Sequence, residues 1–111
     1  PDPAVIGNAG SFFKNPIVSI DVAHALLATH LAAPNFDAGE GNRKLSAAWL
    51  IDQCGLKGYR DGDAGVSVQH ALVIVNHGAA SGADLWRVAQ HVRTAVSTRF
   101  GIELEPEPVV I

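Results

Sequence analysis

The stretch GNAGSFFKNP, residues 7–16, sets one hydroxyl between a glycine-rich approach and an aromatic pair. Gly10 lets the backbone before Ser11 come close to a ligand, and the N–H groups of such a loop can receive a polar or charged oxygen. Ser11 is therefore a candidate for ligand contact or chemistry, although serine is also an ordinary turn residue and no Ser-His-Asp set stands out from spacing alone. Near the other end, LEPEP carries Glu105 and Glu107 in an extended segment stiffened by Pro106 and Pro108, and alternation sends both carboxylates to the same side. A carboxylate in a fixed place serves as an acid, a base or an orienting group; the same composition also suits a solvated domain end.

Metal chemistry finds less support. His24 and His30 are six residues apart, which does not place two ligands on one helical face, His70 and His77 flank an apolar run, and His91 has no ligand partner four residues away. The glycines of GYRDGDAG, residues 58–65, lack the lysine-serine pair and helix start of a phosphate loop, so a turn is expected there. Lys57, in GLKG, lies just past a predicted helix end, where its charge favours the helix dipole and where it can also reach an anion.

The elements that must position these groups follow from periodicity. In DLWRVAQHVRTAVSTRFG, residues 84–101, Leu85, Val88, Ala89, Val92, Ala95, Val96 and Phe100 recur on one helical face; Ser81 with Asp84 predicts the start and Gly101 the stop. A second helix is predicted to begin near Ser19 or Asp21, with Val22, Ala23, Leu26, Leu27 and Leu31 on one stripe. A third, short one runs from a cap at Ser46 through AAWLIDQC to Gly55, with Trp49, Leu50 and Cys54 inward. Between these two, APNFDAGEGNRK reads as a surface loop.

The apolar run ALVIVN, residues 71–76, predicts a strand buried on both faces or at a sheet centre; NPIVS, AGVSV and GIELE are expected partners, and PVVI an edge or continuing strand. The sum is an α+β, two-layer fold: about three helices packed on a small, mostly antiparallel sheet, as a single domain over residues 1–111.

Composition sets the outer bounds. A chain of 111 residues with a formal charge of −3 and eight basic residues scattered along it is not built to bind nucleic acid. Cys54 is the only cysteine, so an intramolecular disulfide is excluded and a reducing, cytoplasmic setting is expected. No stretch approaches the about 18 apolar residues of a membrane span, so no membrane partner is expected either. The chain begins on Pro and ends on VVI, which predicts a fragment of a longer protein.

Four motifs in order, GNAGSFFKNP, AAWLIDQCGLKG, QHALVIVN and FGIELEPE, resemble the C-terminal substrate-binding domain of the UDP-N-acetylenolpyruvoylglucosamine reductase (MurB) family over nearly the whole chain. The resemblance implies an NADPH- and FAD-dependent oxidoreductase that makes UDP-N-acetylmuramic acid for peptidoglycan. In it, a flavin passes hydride to the enolpyruvyl group of UDP-N-acetylglucosamine enolpyruvate, and the adjacent carbon is then protonated. It further implies that Ser11 and Glu107 are the catalytic residues, with Glu107 polarising the hydroxyl, relaying a proton or stabilising the enol. Asn15 matches a nucleotide-sugar contact. His70 stands where relatives often have a glutamine that contacts the uracil, and Val109 and Val110 stand where the family has an arginine. FAD and NADPH belong to the full-length enzyme, whose flavin-binding domains precede this one, and neither is expected to bind this chain. The rival reading is a non-enzymatic α+β protein-interaction module in which the serine and glutamates are incidental.

Overall fold

The structure, a computed structural model, describes the backbone of residues 5–6 and all of residues 12–106. In chain order the elements are β1 (Val5–Ile6), β2 (Ile17–Ser19), α1 (Ile20–Thr29), β3 (Asn35–Asp37), β4 (Asn42–Leu45), α2 (Ala47–Gln53), β5 (Arg60–Asp61), β6 (Ala64–Val66), β7 (Ile74–Asn76) and α3 (Gly82–Phe100).

All three helices start where their caps predict. Ser19, Ser46 and Ser81 each accept a hydrogen bond from the backbone N–H three residues on, which satisfies one of the first-turn donors. At α3 the bond is reciprocal: the Ser81 N–H donates to Asp84 Oδ2 at 2.9 Å and the Asp84 N–H to Ser81 Oγ at 3.1 Å. Gly101 ends the helix in the left-handed conformation, φ 69°, open to glycine without strain. The bond from the Ser81 backbone, then that from its hydroxyl, hold the Asp84 carboxyl below the usual aspartate range.

The buried face of α3, Leu85, Val88, Ala89, Val92 and Val96, packs on β5, β6 and β7 and also meets α2. Those strands belong to a four-stranded antiparallel sheet of order β1-β7-β6-β5, so the ALVIVN run does supply an interior strand. It starts three residues late because residues 70–73 turn, the Val73 N–H donating to the His70 carbonyl at 3.0 Å. The remaining strands form a second antiparallel sheet of order β2-β4-β3, against which α1 lies. The α+β expectation holds, with the strands divided between two small sheets around one core.

Four local expectations are corrected. The predicted loop at 33–44 is the hairpin of β3 and β4, its reversal made by Gly39, Glu40 and Gly41 at φ 82°, 42° and 78°. Both strands are largely exposed, so no hydrophobic alternation betrays them. Among the described residues GIELE pairs with no strand: the Leu104 carbonyl accepts from Arg93 Nε and the Glu105 carbonyl from the Lys14 N–H, while Ile102 and Leu104 are buried. α2 buries Ala47 and Ile51 as well as Leu50, while Trp49 and Cys54 are half-buried and pack against the core's edge. On the α1 stripe only Ala23 and Leu26 are buried, and Leu31, past the helix end, is 87% exposed. PVVI lies outside the described residues.

Close packing makes one glycine indispensable. A Cβ on Gly65, in β6, would stand 2.5 Å from the Tyr59 carbonyl oxygen, whereas one on Gly82 meets nothing within 4 Å. Gly65→Ala is expected to cost about 1–3 kcal/mol in urea unfolding, with Gly82→Ala neutral or stabilising; equal effects would show that β5 and β6 are not held this closely. Asp84 gives a pH prediction of definite sign. Its folded pKa lies below its unfolded value of about 3.9, so its bonds stabilise above that value and are lost as the pH falls through the folded one. The melting-temperature gap between the parent and Asp84→Ala should be constant above about pH 5 and should narrow on acidification.

Candidate functional site

Residues 12–16 form no helix and enter no strand, yet their backbone meets widely separated parts of the chain. The Phe12 N–H donates to the Leu72 carbonyl at 2.8 Å, the Lys14 N–H to the Glu105 carbonyl at 2.8 Å, and the Pro16 carbonyl accepts from the Leu45 N–H at 2.9 Å. Phe13 and Pro106 form an isolated antiparallel bridge. The two phenylalanines anchor this run: Phe12 and Phe13 are both buried, edge to face with ring centroids 5.0 Å apart, and Trp86 of α3 lies 6.3 Å from Phe12. Lys14 Nζ also stands 3.8 Å from Glu105 Oε2, an exposed pair of small energetic weight.

Ser11 and Glu107 lie outside the described residues. Their chain neighbours Phe12 and Pro106 are inside, one residue removed from each other across the Phe13–Pro106 bridge.

Asn15 is fixed by a contact that also defines its chemistry. Its Oδ1 accepts from the Ala47 N–H, the first of α2, at 3.0 Å. A backbone N–H only donates, so the carbonyl end of the amide is committed and the NH₂ end is left with its two donors. Asn15 lines an open cleft of about 540 Å³ with Lys14, Ile17, Val22, Ile102, Glu103 and Glu105. Ile17 and Val22 are exposed enough to give it an apolar wall.

His70 lines a different cleft, about 270 Å³, with Trp49, Lys57, Gln69 and Leu72. Its backbone is pinned by Ser67, whose Oγ accepts from the Gln69 N–H at 3.1 Å and the His70 N–H at 3.2 Å. Lys57 is paired only loosely, its Nζ 3.8 Å from Asp52 Oδ2 with both side chains more than two-fifths exposed. Trp49 walls this cleft and also packs its ring with His30 and Phe100, at centroid distances of 5.5 and 5.9 Å.

Asn15 and His70 are thus not brought into one cleft. They flank α2, whose first residue holds Asn15 and whose Ala48, Trp49 and Asp52 line the cleft of His70. Sequence reasoning passed over Ser67, although a serine two and three residues before the N–H groups it holds is a recognisable turn signal. Trp49, expected on the inner side of α2, packs against the core and also walls the cleft of His70. Cys54 is no activated nucleophile: burial pushes its thiol up, and the nearby Arg99 guanidinium only partly opposes this. Among the described residues no group of three metal-ligating side chains assembles and no helix is long and apolar enough to cross a membrane.

Comparison with known proteins connects these features. A family model described as UDP-N-acetylenolpyruvoylglucosamine reductase, C-terminal domain, matches residues 2–111. Curated proteins named UDP-N-acetylenolpyruvoylglucosamine reductase from Chromobacterium violaceum and Xanthomonas campestris pv. campestris are 59% and 57% identical over all of this chain, which covers 33% and 32% of their lengths. The chain therefore spans about a third of the length of the curated relatives it matches. The crystal structure of UDP-N-acetylenolpyruvylglucosamine reductase (MurB) from Thermus caldophilus aligns with a TM-score of 0.51 at 32% identity, over 89% of this chain and 26% of that one. With a match from residue 2 to residue 111, this chain belongs to the UDP-N-acetylenolpyruvoylglucosamine reductase family and corresponds to its C-terminal domain.

Proposed function

We propose that this chain is the substrate-binding and proton-donating part of a cytoplasmic reductase. That enzyme converts the enolpyruvyl group of UDP-N-acetylglucosamine enolpyruvate into the lactyl ether of UDP-N-acetylmuramate for peptidoglycan. The observation that carries this reading is the pairing of Phe13 and Lys14 with Pro106 and Glu105 in a chain matched by the family from residue 2 to residue 111, because Phe13 stands two residues after Ser11 and Pro106 just before Glu107.

In the proposed reaction a flavin held by the rest of the enzyme, and reduced by NADPH, would supply the hydride. The residues here do not fit that group: the larger cleft is open and no aromatic side chain among the described residues lines it to stack on a flavin ring. FAD and NADPH are assigned to the rest of the full-length enzyme. Hydride addition to one carbon of the double bond leaves its electron pair on the other as an enolate conjugated to the carboxylate. Ser11 gives its hydroxyl proton to that carbon and is reprotonated from solvent. A hydroxyl is a poor acid in water, but an enolate is a strong base, so the transfer proceeds where the serine is held in place and water is excluded. Glu107 acts on the same hydroxyl or on the enol.

Asn15, with its carbonyl end committed to Ala47, binds the nucleotide-sugar as a hydrogen-bond donor. His70, beside Lys57 and Trp49, takes the part of the family's uracil-contacting glutamine, one imidazole nitrogen accepting or donating in place of the amide.

Two experiments on the full-length enzyme test this. Ser11→Ala should slow flavin reoxidation by the enolpyruvyl substrate by about 10²–10⁴-fold, and Glu107→Gln should slow it too, while NADPH reduces the flavin at the parental rate. Equal slowing of both halves would overturn the protonation role, and no change in either would favour the interaction-module reading. Asn15→Asp keeps an acceptor for the Ala47 N–H but replaces two donors with a negative charge. It should leave the melting temperature nearly unchanged while weakening substrate binding by about tenfold or more, the worth of a hydrogen bond to a charged group; parental affinity would remove Asn15 from the site.

A further inference from the structure

We propose that Trp49 is the stacking platform for the base of the nucleotide-sugar, with Lys57 the cation that meets its phosphates. The inference rests on the reading of His70 as the residue that contacts the base.

Trp49 belongs to a closed triangle of rings drawn from three elements. His30, just past the end of α1, lies 5.5 Å from it with planes at 67°, Phe100, the last residue of α3, lies 5.9 Å away at 43°, and those two meet each other at 5.4 Å and 87°. The same half-buried tryptophan lines the cleft of about 270 Å³ to which His70, Lys57 and Asp52 also contribute. Its backbone is fixed as well, because the Trp49 N–H donates to the Ser46 hydroxyl at 3.1 Å in the cap of α2. A ring tied at its backbone and braced by two neighbouring rings has little freedom left to lose when a ligand arrives, which lowers the cost of binding.

The company of the ring decides what it takes. Any flat heterocycle stacks on an indole, and an imidazole at the same cleft gives or takes one hydrogen bond at the heterocycle's edge. Lys57 adds a positive charge. Its Nζ is 3.8 Å from Asp52 Oδ2, an exposed pair of small weight, and the flexible lysine stem lets a phosphate draw the ammonium away. Plane, edge and charge in one cleft suit a nucleotide. The cleft is smaller than those that enclose whole drug-sized ligands, which suits a base with its ribose and leaves a flavin dinucleotide out.

The test is made on the full-length enzyme, with uridine and UDP as competitive inhibitors of flavin reoxidation by the enolpyruvyl substrate. Trp49→Leu is expected to weaken both inhibitors about tenfold, within the worth of stacking a base on a ring, and to raise KM alike while the rate at saturating substrate stays parental. Trp49→Phe should keep most of the affinity, and Lys57→Ala should weaken UDP but leave uridine untouched. A measurement on the parent also stands if Trp49→Leu does not fold: the H5 and H6 protons of the uracil in bound UDP should show nuclear Overhauser contacts to the Trp49 indole. Parental inhibition by uridine in Trp49→Leu, a loss as large in Trp49→Phe as in Trp49→Leu, or base protons in contact with other side chains only, overturns the stacking role. Unchanged inhibition by UDP in Lys57→Ala removes that lysine from the phosphates. If His70→Ala weakens uridine where Trp49→Leu does not, the reading of His70 survives and this inference alone is lost; if neither variant changes it, both are lost together.

Discussion

The five residues Phe12 to Pro16 are the constraint on which the rest of this domain depends. They bond Leu72 after the central turn, Glu105 and Pro106 at the far end, Ala47 at the start of α2 and Leu45 in β4. Each such bond contributes only about 1 kcal/mol net, but together they fix the relative positions of two sheets that share no strand. Burial of Phe13 locks the arrangement, since truncating a buried phenylalanine typically costs about 3–5 kcal/mol. All but one of these bonds are made by the backbone of the run, so its path is dictated by where the chain must pass. The side chains of Lys14 and Asn15 can then face a cleft.

What was legible in the sequence was what local forces decide. The caps of α1, α2 and α3 are set by a serine and the next three residues, and the face of α3 by a stripe long enough to be unambiguous. The inner face of α2 was legible only in part, because in seven residues an apolar run such as AAWLI has no clear phase, and Trp49 packs at the edge of the core with His30 and Phe100. The β3–β4 hairpin was hidden for a different reason: its strands pair by backbone bonds while presenting Asn35, Asp37, Asn42 and Arg43, which signal a loop to any pattern based on burial. GIELE has strand-like alternation, and it buries Ile102 and Leu104 accordingly, but a neighbouring strand is a tertiary matter that alternation cannot supply.

The site divides in the same way. Asn15 and His70 were identifiable, and both are held at the backbone or amide by neighbours that the sequence provides. That α2 stands between their clefts depends on the bond from Asn15 to Ala47, 32 residues apart, which no local signal encodes. Ser11 and Glu107 drew notice from the company they keep, a glycine before one and prolines around the other. The roles proposed for them rest on the resemblance alone.

The proposed reaction makes two demands that oppose each other. Recognition of a nucleotide-sugar needs accessible donors, and Asn15, Lys57 and His70 all line open clefts. Protonation of an enolate by a hydroxyl needs the reverse, a place where water does not compete for the proton. On the proposed reading the two demands fall in different places of the fold. The polar groups lie on either side of α2, where the surface is concave and wet. The aromatic rings of Phe12, Phe13 and Trp86 cluster where the first and last segments meet, at the residue that follows Ser11. The apolar mass thus gathers where the first and last described segments meet, and the polar groups stand apart from it at the open clefts.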